Sequence, residues 1–340
     1  MSRARAAEEL LDGDNRALVI ADDRIRVTLL PDRGGDIHAV EDLRTGVDVL
    51  WKTPWGLHVR ADDDSPTGSA AAWVNRYAGG WQVLLPSGGG PSSHRGVDHP
   101  YHGEACSLPW TATVATDADG DERVDLRVQL ADSPLLLERN VSLAPERGEV
   151  VVAERVTNEG DRPVDYMWVH HPAFGSPLVA PGARFRTSAS TILADAVLDG
   201  PANLLEPGTS HAWPVVRTRD GRQLDVSLLP DASRGRLLLG YLSRFDEGAA
   251  SIENDDLDLV CTLYWQLDVF PYAWLWQEFG ATTGAPWFGR AFTMAIEPAT
   301  SFPASGLGGV VGTTATHRTL DAGAAVETEL RLRLAPVGRA

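Results

Sequence analysis

The sequence predicts an all-β chain of large antiparallel sheets, and three observations carry that reading. Strand-like runs with period-two alternation follow one another, as in "RVDLRVQL" (123–130) and "AVETELRLRLAP" (325–336). Amphipathic helix patterns are scarce, residues 3–12 being the best of them. The 33 glycines and 22 prolines fall mostly between the apolar runs, where turns belong. Many strands without intervening helices must bury their apolar faces against one another, so the architecture expected is a large β-sandwich.

Taken in order, residues 1–16 read as an N-terminal extension carrying a short helix. Residues 17–42, "ALVIADDRIRVTLLPDRGGDIHAVED", give two or three short strands separated by Asp-Asp and Arg-Gly-Gly turns. Residues 123–145 and 148–171 alternate again, with Asn-Glu-Gly-Asp as a turn inside the second stretch. "RLLLGYLS", "DLDLVCTLYWQLDV" and "RAFTMAIEPAT" continue the series. No Pro- or Ser-rich linker and no fixed-period repeat divides the chain, so residues 17–340 read as one domain, with a split into two all-β domains as the alternative.

Composition narrows the function. A net charge of −17 repels phosphate backbones and anionic lipid, which argues against nucleic-acid and membrane partners and leaves a neutral small molecule. No apolar run is long enough to span a bilayer, and "MSRARAAEELLDGDNR" has no secretory apolar region. Cys106 and Cys261 are isolated, without finger spacing, which fits reduced thiols and a cytoplasmic location. Oligomeric state is not legible in the sequence.

Four stretches interrupt apolar strands with residues that do chemistry. "WVNRYAGGWQVLLPSGGG" (73–90) places Arg76 before a glycine-rich loop that lacks the phosphate-binding fingerprint. That loop is either a mobile connection or a place where backbone approaches a ligand. "SSHRGVDHPYHGEACSLPW" (92–110) holds His94, His99 and His102 at a spacing that matches no metal motif, so no metal is expected. "WVHHPAFG" (168–175) pairs His170 with His171 ahead of Pro172, which is expected to stop the ladder. Adjacent strand residues face opposite ways, so one ring faces a cleft while the other braces the sheet, unless both merely hydrogen-bond at a sheet edge. "FGRAFTMAIEPATSFP" (288–303) puts Glu297 at the end of an apolar strand, as an edge solubiliser or a site acid/base. Upstream, Trp274, Trp276, Gln277 and Glu278 offer rings beside amide and carboxylate groups, a combination suited to sugars.

In that order, "NRYAGG", "YHGEACSLPW", "VHHPAFG" and "MAIEPATSFP" resemble the segments of the aldose 1-epimerase (galactose mutarotase-like) family, over roughly residues 17–335. The resemblance implies a β-supersandwich that interconverts the α and β anomers of a free sugar without a cofactor. It implies Glu297 as general base and His171 as general acid, with Phe174 three residues on from the acid. His170 then stands where the family has asparagine. Arg76 and His102 match sugar-binding positions, and His170, Trp276, Gln277 and Glu278 complete the expected substrate-binding set. The family's additional acidic residue has Glu278 and Asp268 as candidates. The acid–base separation expected from two-group sugar chemistry is about 5–8 Å. Three other readings share the architecture. They are a non-catalytic sugar-binding protein, a hexose-6-phosphate epimerase with only Arg76 and Arg95 as a clamp, and a polysaccharide-active enzyme using Glu297 with Glu278.

Overall fold

The computed structural model describes residues 3–12, 14–57, 68–144, 148–198, 203–231 and 235–338. Half of the chain is strand and 6% is helix, which makes it all-β. Among the described residues one sheet has twelve strands, entering through Arg5–Leu11 at one edge and leaving through Ser210–Ala212 at the other. Its centre is formed by Asp36–Asp42, Trp81–Leu84, Val169–Gly175, Phe292–Ala299, Tyr272–Phe279 and Arg236–Ser243, side by side. A second sheet of eight strands includes Leu135–Ala144, Glu149–Asn158 and the long Ala325–Ala335. The alternation read in the sequence is the cause. Val124, Leu126 and Val128 point inward from one strand, Val150, Val152 and Val156 from another, and Leu330, Leu332 and Leu334 from a third. These meet Ile20, Val27, Val83, Leu238 and Leu275 of the larger sheet in one core.

Two sequence expectations are overturned. Residues 3–12 form no helix: Arg5–Leu11 is an edge strand paired residue for residue with Asn15–Ala21. The partner strand offers a ladder that the weak helical pattern of "RAAEELL" does not outweigh. Pro172 does not end its strand, which runs Val169–Gly175 with Pro172 opposite Trp81. Strands on both sides hold the backbone extended there, so the missing donor interrupts the ladder without breaking it.

Among the described residues two eight-residue helices lie outside the sheets, α1 (Ser69–Arg76) and α2 (Gly306–Thr313). The glycine loop at 88–90 is tightly packed. A Cβ on Gly89 would stand 2.1 Å from the Ala304 carbonyl, so glycine there permits close approach of chain to chain.

Candidate active site

Register assembles the site. Gln82 lies opposite His171, and Trp274 opposite Glu297. Val169 pairs with Ala299 and Ala173 with Ala295, so the same register sets His171 opposite Glu297. Ile37 pairs with Trp81, which brings Asp36 beside Gln82 on the other face. Asp36, Gln82, His171, Glu297 and Trp274 thus form one row across five adjacent strands. The His171 Nε2 and a Glu297 carboxylate oxygen are 3.7 Å apart, closer than the spacing expected from the sequence. Both side chains are buried.

His170 faces the other way, into the space between the sheets. Its Nε2 lies 2.9 Å from Glu154, which in turn is 2.5 Å from Arg139. The Trp81 indole N–H donates to His170 Nδ1 at 3.1 Å. All three members of the Glu154 cluster are dry, and although burial alone would raise the Glu154 carboxyl, Arg139 and His170 hold it at about 2. His170 is therefore a brace between sheets, and the substrate-binding role expected for it is corrected: its ring is on the wrong face.

His102 reaches the row from the loop after Val97–His99. Its backbone is left-handed, φ 64°, an unusual state for a residue with a side chain. The cause is a double clip to the glycine loop: the His102 N–H donates to the Gly89 carbonyl at 2.9 Å, and the Gly89 N–H donates to His102 Nδ1 at 3.0 Å. The ring stands 5.4 Å from that of His171. Burial and the nearby His171 keep it neutral, well below the ordinary histidine range. With Nδ1 accepting, the proton sits on Nε2.

Helix α1 covers the row. Trp73 and Tyr77 are stacked with ring centres 4.4 Å apart, and Trp73 stands edge-on to His102 at 4.5 Å. The Trp73 indole N–H donates to Gln82 Oε1 at 3.0 Å, and the Gln82 amide donates to Asp36 at 2.7 Å. The Tyr77 hydroxyl is buried without a hydrogen-bond partner. On the other flank Trp51, Trp55, Trp276 and Trp287 cluster over Ala173 and Ala295.

Burial dominates the electrostatics. Desolvation pushes Glu297 well above the ordinary carboxyl range and His171 down to about 4. Burial thus disfavours charge on either member of the pair. Desolvation also raises Asp36 to about 7, against the opposing hydrogen bond from Gln82. The folded state thus keeps a proton on Asp36 that the unfolded chain releases between about pH 4 and 7, and stability falls as pH rises through that window. Asp36→Asn should remove this dependence. Its stability advantage over the wild type should grow from nothing below pH 4 to about 4 kcal/mol above pH 7, at 1.36 kcal/mol per unit. Urea denaturation of both proteins across that range checks it, and parallel pH profiles would refute it.

The remaining sequence candidates divide. Arg76 ends α1, exposed, with Nη2 donating to the Ser107 carbonyl at 3.1 Å, and lies near the row without reaching Glu297. Trp276 packs edge-on to Trp51 at 6.5 Å, on the Glu297 face. Gln277 points to the other face and donates to the Val226 carbonyl, so its sugar-binding role is corrected. Glu278 is likewise corrected: its carboxylate accepts from the backbone of Ala281 and Thr282 and from the Thr282 hydroxyl, closing a turn. Asp268 is exposed in a turn, its carbonyl accepting from Arg318. His94 bonds Asp165 at 2.9 Å, away from His102. Asp36, Gln82, Trp73 and Tyr77 went unread. Gln82 was visible as a polar residue in the apolar run "WQVLL", and Trp73 with Tyr77 as a helical i,i+4 pair, whereas Asp36 reads as a turn residue after Gly-Gly.

A larger concavity, about 750 Å³, lies on the outer face of the eight-stranded sheet. Arg155 pairs with Glu327 there, and it is a solvated sheet face away from the row.

Comparison with known proteins agrees with the architecture. A galactose mutarotase-like protein from Clostridium acetobutylicum superposes with a TM-score of 0.69 at 18% identity, covering 98% of this chain and 99% of that one. A Klebsiella pneumoniae protein provisionally named an aldose 1-epimerase gives 0.72 at 18% identity, over 98% and 84%. A galactose mutarotase-like protein from Lactobacillus casei gives 0.62 at 18%, over 94% and 100%. The fold is therefore galactose mutarotase-like. No curated protein matches the sequence. The family model described as Domain of unknown function (DUF4432) matches residues 13–200, a span that holds Asp36, Gln82, His102 and His171. With more than half of its length matched, the chain belongs to that family, DUF4432.

Proposed function

We propose that the protein is an aldose 1-epimerase, opening and reclosing the ring of a free monosaccharide with Glu297 and His171 as its proton-transfer pair. The observation that carries this is the buried imidazole and carboxyl facing each other on adjacent strands, 3.7 Å apart. Ring opening moves one proton off the C1 hydroxyl and one onto the ring oxygen as the C1–O5 bond breaks. The aldehyde then turns about C1–C2 and closes with the two roles exchanged. A pair holding one proton has an acceptor and a donor at every stage. Sugar hydroxyls entering the site favour the carboxylate form of Glu297 and shift the proton to His171. The His102 Nε2–H is a donor for a sugar hydroxyl.

Anomer exchange measured by polarimetry or NMR on freshly dissolved aldoses tests the reading, and a wild-type protein that accelerates none of them would sink it. The pH profile gives a sharper check. Activity should fail when the pair takes a second proton, so the acid limb of kcat/KM should lie near pH 4, far below an ordinary histidine. An acid limb near 6.5 would mean an exposed imidazole and would contradict the buried pair.

A further inference from the structure

A cavity of about 230 Å³ lies against α1, lined in part by Trp73 and by neither His171 nor Glu297. Asp36, Gln82, Trp73 and Tyr77 line it, and Arg33 and Arg76 stand at its rim. One Asp36 oxygen is taken by the Gln82 amide, while the other is buried and has no partner. Asp36 is only 7% exposed. Neither rim arginine supplies the missing contact: Arg33 donates to the carbonyls of Leu57 and Arg76, and Arg76 to that of Ser107. A buried carboxyl left half-satisfied is costly, and such groups persist where a ligand completes them.

We propose that this cavity is the second half of the sugar site, and that Asp36 holds the hydroxyls remote from the anomeric carbon. The inference rests on the anomer-exchange reading of Glu297 and His171. Strand spacing supports it. Asp36 lies two strands from His171, about 10 Å, a span filled by a monosaccharide with a hydrogen bond at each end. Trp73 is the partition. Its N–H satisfies Gln82 as a sugar hydroxyl would, and its ring covers the space above His102 and His171. When the indole turns aside, cavity and acid–base pair become one trough floored by Gln82, and the indole face is free to pack on sugar C–H groups. A carboxyl that accepts or, when protonated, donates at its unpartnered oxygen suits a neutral polyhydroxylated aldose.

The test is titration calorimetry and anomer exchange with a panel of aldoses and their deoxy analogues, on wild type and Asp36→Asn. The variant should bind at least tenfold more weakly and show a correspondingly raised KM, with kcat within about threefold of wild type. Removing the hydroxyl that Asp36 holds should weaken wild-type binding by a similar factor and add nothing in the variant. Asp36→Ser, which shortens the side chain without adding bulk, serves as a second variant, and melting curves verify the fold of both. Unchanged affinity for every sugar in both variants overturns the proposal. Binding without anomer exchange by the wild type overturns the acid–base reading alone and leaves the subsite to the affinities. A wild type that binds no sugar overturns both.

Discussion

Glu297→Gln should slow anomer exchange by about 10²–10⁴-fold, the usual worth of a positioned proton-transfer group. The amide keeps the shape of the side chain but cannot accept the proton. Because Glu297 is buried and its second oxygen has no partner, the neutral amide should leave the melting temperature equal or higher. His171→Asn should show a loss of the same order. Residues that work as one proton relay are not additive, so the double variant should be scarcely slower than either single one. Exchange rates of the three variants with one aldose decide the matter. A Gln variant within tenfold of wild type would remove Glu297 from the chemistry.

Glu154→Gln should cost about 3–5 kcal/mol of stability, because it strands the Arg139 guanidinium in the core without its counter-charge. His170→Asn should cost less, about 1–3 kcal/mol, by freeing the Trp81 N–H and one side of Glu154. The Asn variant should still exchange anomers while folded, since its side chain lies on the far face of the sheet. Urea denaturation read beside activity separates the neighbours: loss of rate without loss of stability at 171, the reverse at 170. A stable but inactive His170→Asn would mean that the rings had been assigned to the wrong faces.

The fold was legible because its cause is local. Period-two alternation in runs such as "RVDLRVQL" places every second side chain in the core whatever the strand order. The opposite facing of His170 and His171 was legible for the same reason. Which ring faces Glu297 is set by cross-strand register, and no local pattern shows that Glu297 will lie opposite residue 171. The resemblance to a known family supplied that assignment. Gln277 and Glu278 misled because their chemistry suits sugars, yet one faces the core and the other is spent closing a turn. Asp36 was missed because a carboxylate after Gly-Gly looks like any turn residue until strands distant in sequence are laid beside it. The N-terminal strand was misread because its partner supplies what its own propensity lacks.

The two neighbouring imidazoles also make the strand self-indexing. A slip of one residue in one direction would set Val169 against the Glu154 cluster and swing His170 round to meet Glu297, whereas a slip the other way would give His171 to the cluster and leave Pro172 facing Glu297. The first misaligned chain would still present an imidazole to the carboxyl yet lose the link that ties the two sheets, and the second would keep a ring at Glu154 but none at Glu297. Each misalignment thus breaks one of the two histidine contacts, and the first is rejected by the core alone. Alignment of His171 with Glu297 is secured from behind, by a contact on the opposite face of the sheet.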